Sequence, residues 1–164
     1  MSTLDPRPTL PSRVLGMAAF IVAAVVAAAS GALSSLDAAE QYGILVQPTW
    51  APPPWLFGPV WTVLYALIAL SGWLVWRRAG WSGARTALTV YAVQLVLNAL
   101  WTPLFFGAGL FGLAFAEIVL LWGAIVATIV LFARHSRPAA AMLVPYLAWV
   151  SFAAALNFAI WTLN

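Results

Sequence analysis

Five stretches of the chain are almost wholly apolar, and nearly all charged residues fall between them. They run over residues 14–35, 56–77, 86–106, 110–133 and 139–163. A helix needs about 20 apolar residues to cross a bilayer core, so each stretch predicts one transmembrane helix. The expected fold is an all-α integral membrane protein, a single five-helix bundle over residues 13–164. Residues 1–12, "MSTLDPRPTLPS", are polar and proline-rich and read as a flexible tail. No internal repeat is visible. The first run also resembles a secretory signal, with a small-residue segment "AAASGALSS" after it. It is longer than the roughly 7–15 apolar residues of such signals, so a retained helix is expected.

Between the first and second runs lies a segment of another kind, residues 37–55. Its end, "PTWAPPPWLFGPVW" (Pro48 to Trp61), holds five prolines, three tryptophans and one glycine. Proline lacks the backbone donor that a helix interior requires. Pro48 to Pro54 therefore predicts a stiff lid, and the second helix begins near Leu56 with Pro59 in its first turns.

Composition supports the membrane reading. Of all residues 65% are hydrophobic and 7% charged, against about 25% charged in soluble domains. The seven arginines are Arg7, Arg13, Arg77, Arg78, Arg85, Arg134 and Arg137. In a five-helix bundle all of them fall on one side, which the positive-inside rule assigns to the cytoplasm. The N-terminus is then cytoplasmic, and the lid, Asp37, Glu40 and the C-terminus lie outside. This placement of the basic residues speaks for membrane topology and against nucleic acid. Trp73, Trp76 and Trp81 at one end, and Trp50, Trp55 and Trp161 at the other, fit interfacial belts. Trp61, Trp101, Trp122 and Trp149 lie deeper.

Polar side chains within a span usually point into the bundle. Tyr91, Gln94, Asn98 and Thr102 recur at spacings of three, four and four, so they share one face of the third helix. That stripe fits interhelical hydrogen bonding, and it fits a cavity wall. Trp149, Ala153 and Asn157 share a face of the fifth helix, with Tyr146 nearby. The notch beside Ala153 suits a neighbouring helix or a flat ligand. Trp61 and Tyr65 stand one turn apart on the second helix. These groups gather in the outer half of the bundle, beneath the lid. Glu117 is the one acid within a span and is expected to be neutral or to share hydrogen bonds with polar neighbours.

The chain has no cysteine and one histidine, His135, in the arginine-rich segment "ARHSR". Soft-metal and haem ligation need more than this, so no metal site is expected. No nucleophile–base pair or phosphate loop is visible. An aromatic, weakly polar cavity suits a flat apolar ligand held by stacking.

Three segments, "QPTWAPPPWLFGPVWTVLY", "QLVLNALWTPLFFG" and "LVPYLAWVSFAAALNFAIW", resemble the TspO family of tryptophan-rich sensory and translocator proteins. The mitochondrial members are also called peripheral benzodiazepine receptors. The resemblance covers about residues 42–161. It implies a five-helix bundle, often dimeric, with a pocket under the first loop for porphyrins and, in some members, sterols or synthetic drugs. Trp61 and Trp149 match two tryptophans implicated in photochemical porphyrin breakdown in bacterial relatives. Tyr42, Pro52, Tyr65, Asn98 and Ala153 match other pocket positions. Three features depart from the family. Gln41-Tyr42 stands where a tryptophan-tyrosine pair is frequent before the first loop. Gln47-Pro48 stands where a lysine-proline pair is common. Phe158 and Trp161-Thr162 break the tyrosine-then-basic motif proposed for sterols, which argues against sterol binding.

The expected ligand-binding set is Tyr42, Pro52, Trp61, Tyr65, Asn98, Trp101, Trp149, Ala153 and Asn157. The resemblance implies a tetrapyrrole receptor or sensor in a bacterial cell membrane, acting in porphyrin homeostasis, transport or stress signalling, with porphyrin as ligand and no required cofactor. The alternatives are a light-dependent porphyrin-degrading enzyme using Trp61 and Trp149, and a transporter of another small molecule. A homodimer is implied, and Ala108 and Gly112 offer a small-residue pair near the third loop.

Overall fold

The computed structural model describes residues 10–34 and 38–164. Arg7 and Asp37 lie outside the described residues, as does most of the expected tail. Leu10–Ser12 already belong to the first helix, which therefore starts earlier than the charge pattern suggests.

Seven α-helices follow in order: α1 (Leu10–Ser34), α2 (Ala38–Ile44), α3 (Phe57–Gly83), α4 (Arg85–Thr102), α5 (Phe111–His135), α6 (Arg137–Met142) and α7 (Val144–Leu163). A 3-10 turn, Pro54–Leu56, leads into α3, and a π turn, Pro103–Gly107, closes α4. Among the described residues there is no strand. Four segments are long and apolar enough to cross a membrane: Pro54–Gly83, Arg85–Gly107, Phe111–His135 and Arg137–Leu163. Val14–Ser30, within α1, is a shorter apolar helix. The protein is thus a helical bundle built for a membrane.

The helix ends differ from the apolar runs for local reasons. α3 extends past Arg77 and Arg78 because charged side chains at a helix end reach out of lipid along their own stems. It breaks at Gly80, whose φ of 66° and ψ of -177° lie outside the helical region. The fifth run is two helices, α6 and α7, meeting at Leu143. Pro145 has no amide to donate into the preceding turn, so a continuous helix would lose a bond there. Ser136 caps α6 by accepting from the Ala139 amide at 3.4 Å. The lid is also not wholly irregular, since it contains α2 and the turn closed by Ala51 N–H on Pro48 C=O at 3.0 Å.

The two ends of the bundle have different chemistry. Arg78 Nη1 donates to the His135 carbonyl at 3.2 Å, and the Arg77 guanidinium sits 4.4 Å from the Trp73 ring centre. The arginines of the α3–α4 and α5–α6 connections therefore share one end. The lid, the π turn and the end of α7 share the other.

Packing follows side-chain size. The main core runs along α3, α4, α5 and α7, with Ile68, Leu88, Ile118, Leu121, Ile125, Tyr146 and Val150 all buried. A second cluster beneath the lid joins Tyr42, Phe105, Ala114, Leu156 and Ile160. α1 approaches α3 most closely near the arginine-rich end. A Cβ on Gly72 would stand 2.8 Å from the rings of Phe20 and Tyr91, and one on Gly16 would collide with the Trp76 ring. Glycine at these two positions lets aromatic rings of neighbouring helices lie directly against the backbone. Gly112 is filled from within the chain, since a Cβ on it would meet the Trp161 ring at 2.9 Å. The space beside this small residue is taken by a ring of its own chain.

Candidate functional site

A cavity of about 910 Å³ lies between α1, α3 and α4, beneath the lid. α1 contributes Met17, Ile21, Ala24, Val25 and Ala28. α3 contributes Phe57, Trp61, Thr62, Tyr65, Ala66 and Ala69. Asn98, Trp101 and Thr102 from α4, with Phe106, form the back wall, and Tyr42 and Pro54 form the lid side. The small α1 and α3 residues leave the space that the large rings at Trp61, Trp101 and Phe57 frame.

The polar groups of the wall are arranged in one direction. Tyr65 Oη donates to Asn98 Oδ1 at 2.6 Å. Asn98 Nδ2 donates to Tyr146 Oη at 3.0 Å, and Tyr146 Oη donates to Gln94 Oε1 at 2.9 Å. Tyr91 donates separately to the Ile68 carbonyl at 3.1 Å. The stripe on α4 thus serves both readings: it bonds helices together, and its outer member Asn98 also faces the cavity. Tyr65 has spent its proton inward, so it offers only lone pairs to anything in the cavity. Trp61 packs on Tyr65, 5.4 Å between ring centres, and edge-on to Tyr146 at 6.2 Å.

Tyr42 contributes to the lid side of the wall. Its hydroxyl oxygen is buried and has no hydrogen-bond partner among the described residues. Burial pushes the hydroxyl above its ordinary pKa, so it remains a neutral donor. Gln47 Nε2 donates to the Tyr42 carbonyl and holds that segment down.

Five residues of the expected set line the cavity: Tyr42, Trp61, Tyr65, Asn98 and Trp101. Pro52, Trp149, Ala153 and Asn157 do not. Trp149 stands behind the wall, packed on Phe57 at 5.8 Å and Phe152 at 5.4 Å. Ala153 is buried in the core of the bundle. Asn157 accepts from Trp101 Nε1 at 3.1 Å and donates to the Phe111 carbonyl at 2.9 Å. It therefore orients a lining ring without reaching the cavity. The face of α7 points inward as its spacing requires, but Phe57 and Trp101 stand between it and the open space.

Sequence reasoning missed the α1 wall. Its lining residues are apolar or small, and nothing distinguishes them from lipid-facing neighbours such as Val22 and Val26. Glu117 is buried, and neither carboxyl oxygen meets a partner among the described residues, so the expected hydrogen-bond sharing is not formed. Among the described residues no three His, Cys, Asp or Glu side chains come together.

A cavity walled by tryptophans in a membrane bundle can be compared with known proteins. The model of the TspO/MBR family matches residues 18–162. The chain belongs to the TspO/MBR family. It is 47% identical over 127 residues to the tryptophan-rich protein TspO of Chlorobaculum tepidum, covering 75% of this chain and 78% of that one. It is 42% identical over 125 residues to the translocator protein of Ovis aries, covering 75% and 74%. The tryptophan-rich protein TspO of Archaeoglobus fulgidus is 39% identical over 157 residues, covering 92% and 98%. In this TspO-family chain, membership and the names of these relatives support a membrane sensor or receptor.

Proposed function

We propose that the chain binds a tetrapyrrole such as protoporphyrin IX in the cavity between α1, α3 and α4. The observation that carries this reading is the cavity itself. Its volume of about 910 Å³ lies within the roughly 300–1,000 Å³ of small-molecule sites. Its large surfaces are aromatic rings, which hold a flat macrocycle by stacking. Among the described residues no arginine, lysine or histidine lines it, so in this reading the propionate groups point past the lid to water.

In this reading α1 is the fifth span, and the arginine-rich end faces the cytoplasm of a bacterial cell, with the lid outside. The bound porphyrin is sensed, carried or held for homeostasis and stress control. Homodimerisation belongs to the same reading.

Purified protein in lipid nanodiscs, titrated with iron-free protoporphyrin IX, tests the proposal. Saturable quenching of tryptophan fluorescence is expected. Trp61→Ala should weaken binding by about tenfold, the scale of a lost aromatic contact. Absence of saturation, or identical affinity in the variant, rejects it.

Trp61 in the wall also favours a second reading, light-driven breakdown of the bound porphyrin. Equal product formation under illumination by the parent and Trp61→Phe would remove it.

A further inference from the structure

Val46 lies between α2 and the proline turn, and Asn164 lies just past α7. The Asn164 side chain joins them. Its Oδ1 accepts from the Val46 amide at 3.0 Å, and its Nδ2 donates to the Val46 carbonyl at 3.1 Å. The same Nδ2 donates to the Ile160 carbonyl at 2.8 Å. One carboxamide therefore captures both backbone groups of Val46, as a neighbouring strand would, and the third bond anchors it to α7.

Few side chains can do this. Aspartate keeps an acceptor and loses both donations. Leucine loses all three bonds. Next to Val46, Gln47 holds the carbonyl of Tyr42, and Tyr42 lines the cavity. A continuous line of contacts thus runs from α7 through Asn164, Val46 and Gln47 to the lid wall. Trp50 on Phe152, 5.8 Å between ring centres, is a second point of attachment.

We infer that Asn164 is a positioning residue for the cavity: it clasps the α2 segment over the cavity end and sets how fast a ligand passes the lid. Its kinetic part rests on the ligand-binding reading above; the clasp does not. Both bonds to Val46 are solvent-exposed. Two net hydrogen bonds near the low end of their usual range change the open fraction by about five- to tenfold.

Amide hydrogen exchange and stopped-flow protoporphyrin IX binding in nanodiscs test this, using the parent, Asn164→Ala and Asn164→Asp. In Asn164→Ala, Val46 exchange should accelerate by about five- to tenfold. Porphyrin association and dissociation should quicken by a similar factor, with the ratio of the two nearly constant. Asn164→Asp should keep part of the Val46 protection through its acceptor. Helical circular dichroism should not change, since the clasp lies outside the helices it joins. Unaltered Val46 exchange in Asn164→Ala overturns the clasp. Accelerated exchange with unchanged porphyrin rates overturns the positioning role. Failure of the parent to bind porphyrin counts against the ligand reading, and the exchange result then decides the clasp.

Discussion

Tyr146→Phe removes a single oxygen from the centre of the polar chain. Tyr146 is fully buried. Its hydroxyl donates to Gln94 at 2.9 Å and accepts from Asn98 at 3.0 Å. The edge-on ring contact with Trp61 at 6.2 Å would survive. The variant leaves Gln94 Oε1 and Asn98 Nδ2 unpartnered, beside a Gln94 Nε2 that already has no partner among the described residues. In a soluble core each orphaned group costs about 1–3 kcal/mol. Between membrane helices a hydrogen bond averages only about 0.6 kcal/mol, because the separated helices find other partners. Two bonds therefore give an expected loss of about 1–3 kcal/mol, with the membrane figure setting the floor. Reversible unfolding in mixed detergent and dodecyl sulfate measures this, and a double-mutant cycle with Asn98→Ala isolates the shared bond. Asn98 keeps its bond from Tyr65, so porphyrin affinity should move by no more than about twofold. A stability change below about 0.3 kcal/mol, half of one average membrane hydrogen bond, would show that the chain does not hold α4 to α7.

Gly72→Val should cost about 1–3 kcal/mol by overpacking, because its side chain would enter the rings of Phe20 and Tyr91; an unchanged thermal midpoint would mean that α1 is not seated there. Asn157→Leu should lower porphyrin affinity by about three- to tenfold, the worth of one hydrogen bond that orients Trp101; unchanged affinity would refute that indirect role. Trp149→Phe should leave affinity nearly unaltered, since Phe57 stands between Trp149 and the cavity, and a loss as large as that of Trp61→Ala would contradict this arrangement.

Much of the bundle is legible from charge spacing alone, because lipid tolerates neither charges nor unpaired backbone across about 20 residues. Breaks inside a run are less legible. Leu143 interrupts the fifth run without any charge to mark it, and Gly80 breaks α3 only beyond Arg77 and Arg78, where the charges had already placed the end of the span. The site divides in the same way. Tyr65 and Asn98 can be found because a polar group in a span has few places to point. Met17, Ile21 and Val25 cannot, because an apolar residue facing a cavity reads like one facing lipid. Asn157 and Trp149 show a third limit: periodicity assigns a side chain to an inward face but does not say which neighbour covers it. Asn164 sits beyond the last span, where a polar residue needs no explanation until its partner 118 residues away is placed beside it.

The close approach of α1 at Gly16 and Gly72 makes that helix a lever with its fulcrum at the arginine-rich end. From Gly16 to Ala28 the helix rises about 18 Å, so a tilt of about 5° moves Ala28 by about 1.6 Å. Small rocking at a tight crossing thus becomes a large change in the gap at the far end. In the ligand-binding reading, a macrocycle with bulkier edges would be met by tilting this one helix against the contacts that Ala27 makes with the core and Ser30 makes with the Ala99 carbonyl. The same leverage ties the width of the gap to the thickness of the surrounding bilayer, which sets helix tilt. Lipid composition is then a variable of ligand choice in its own right.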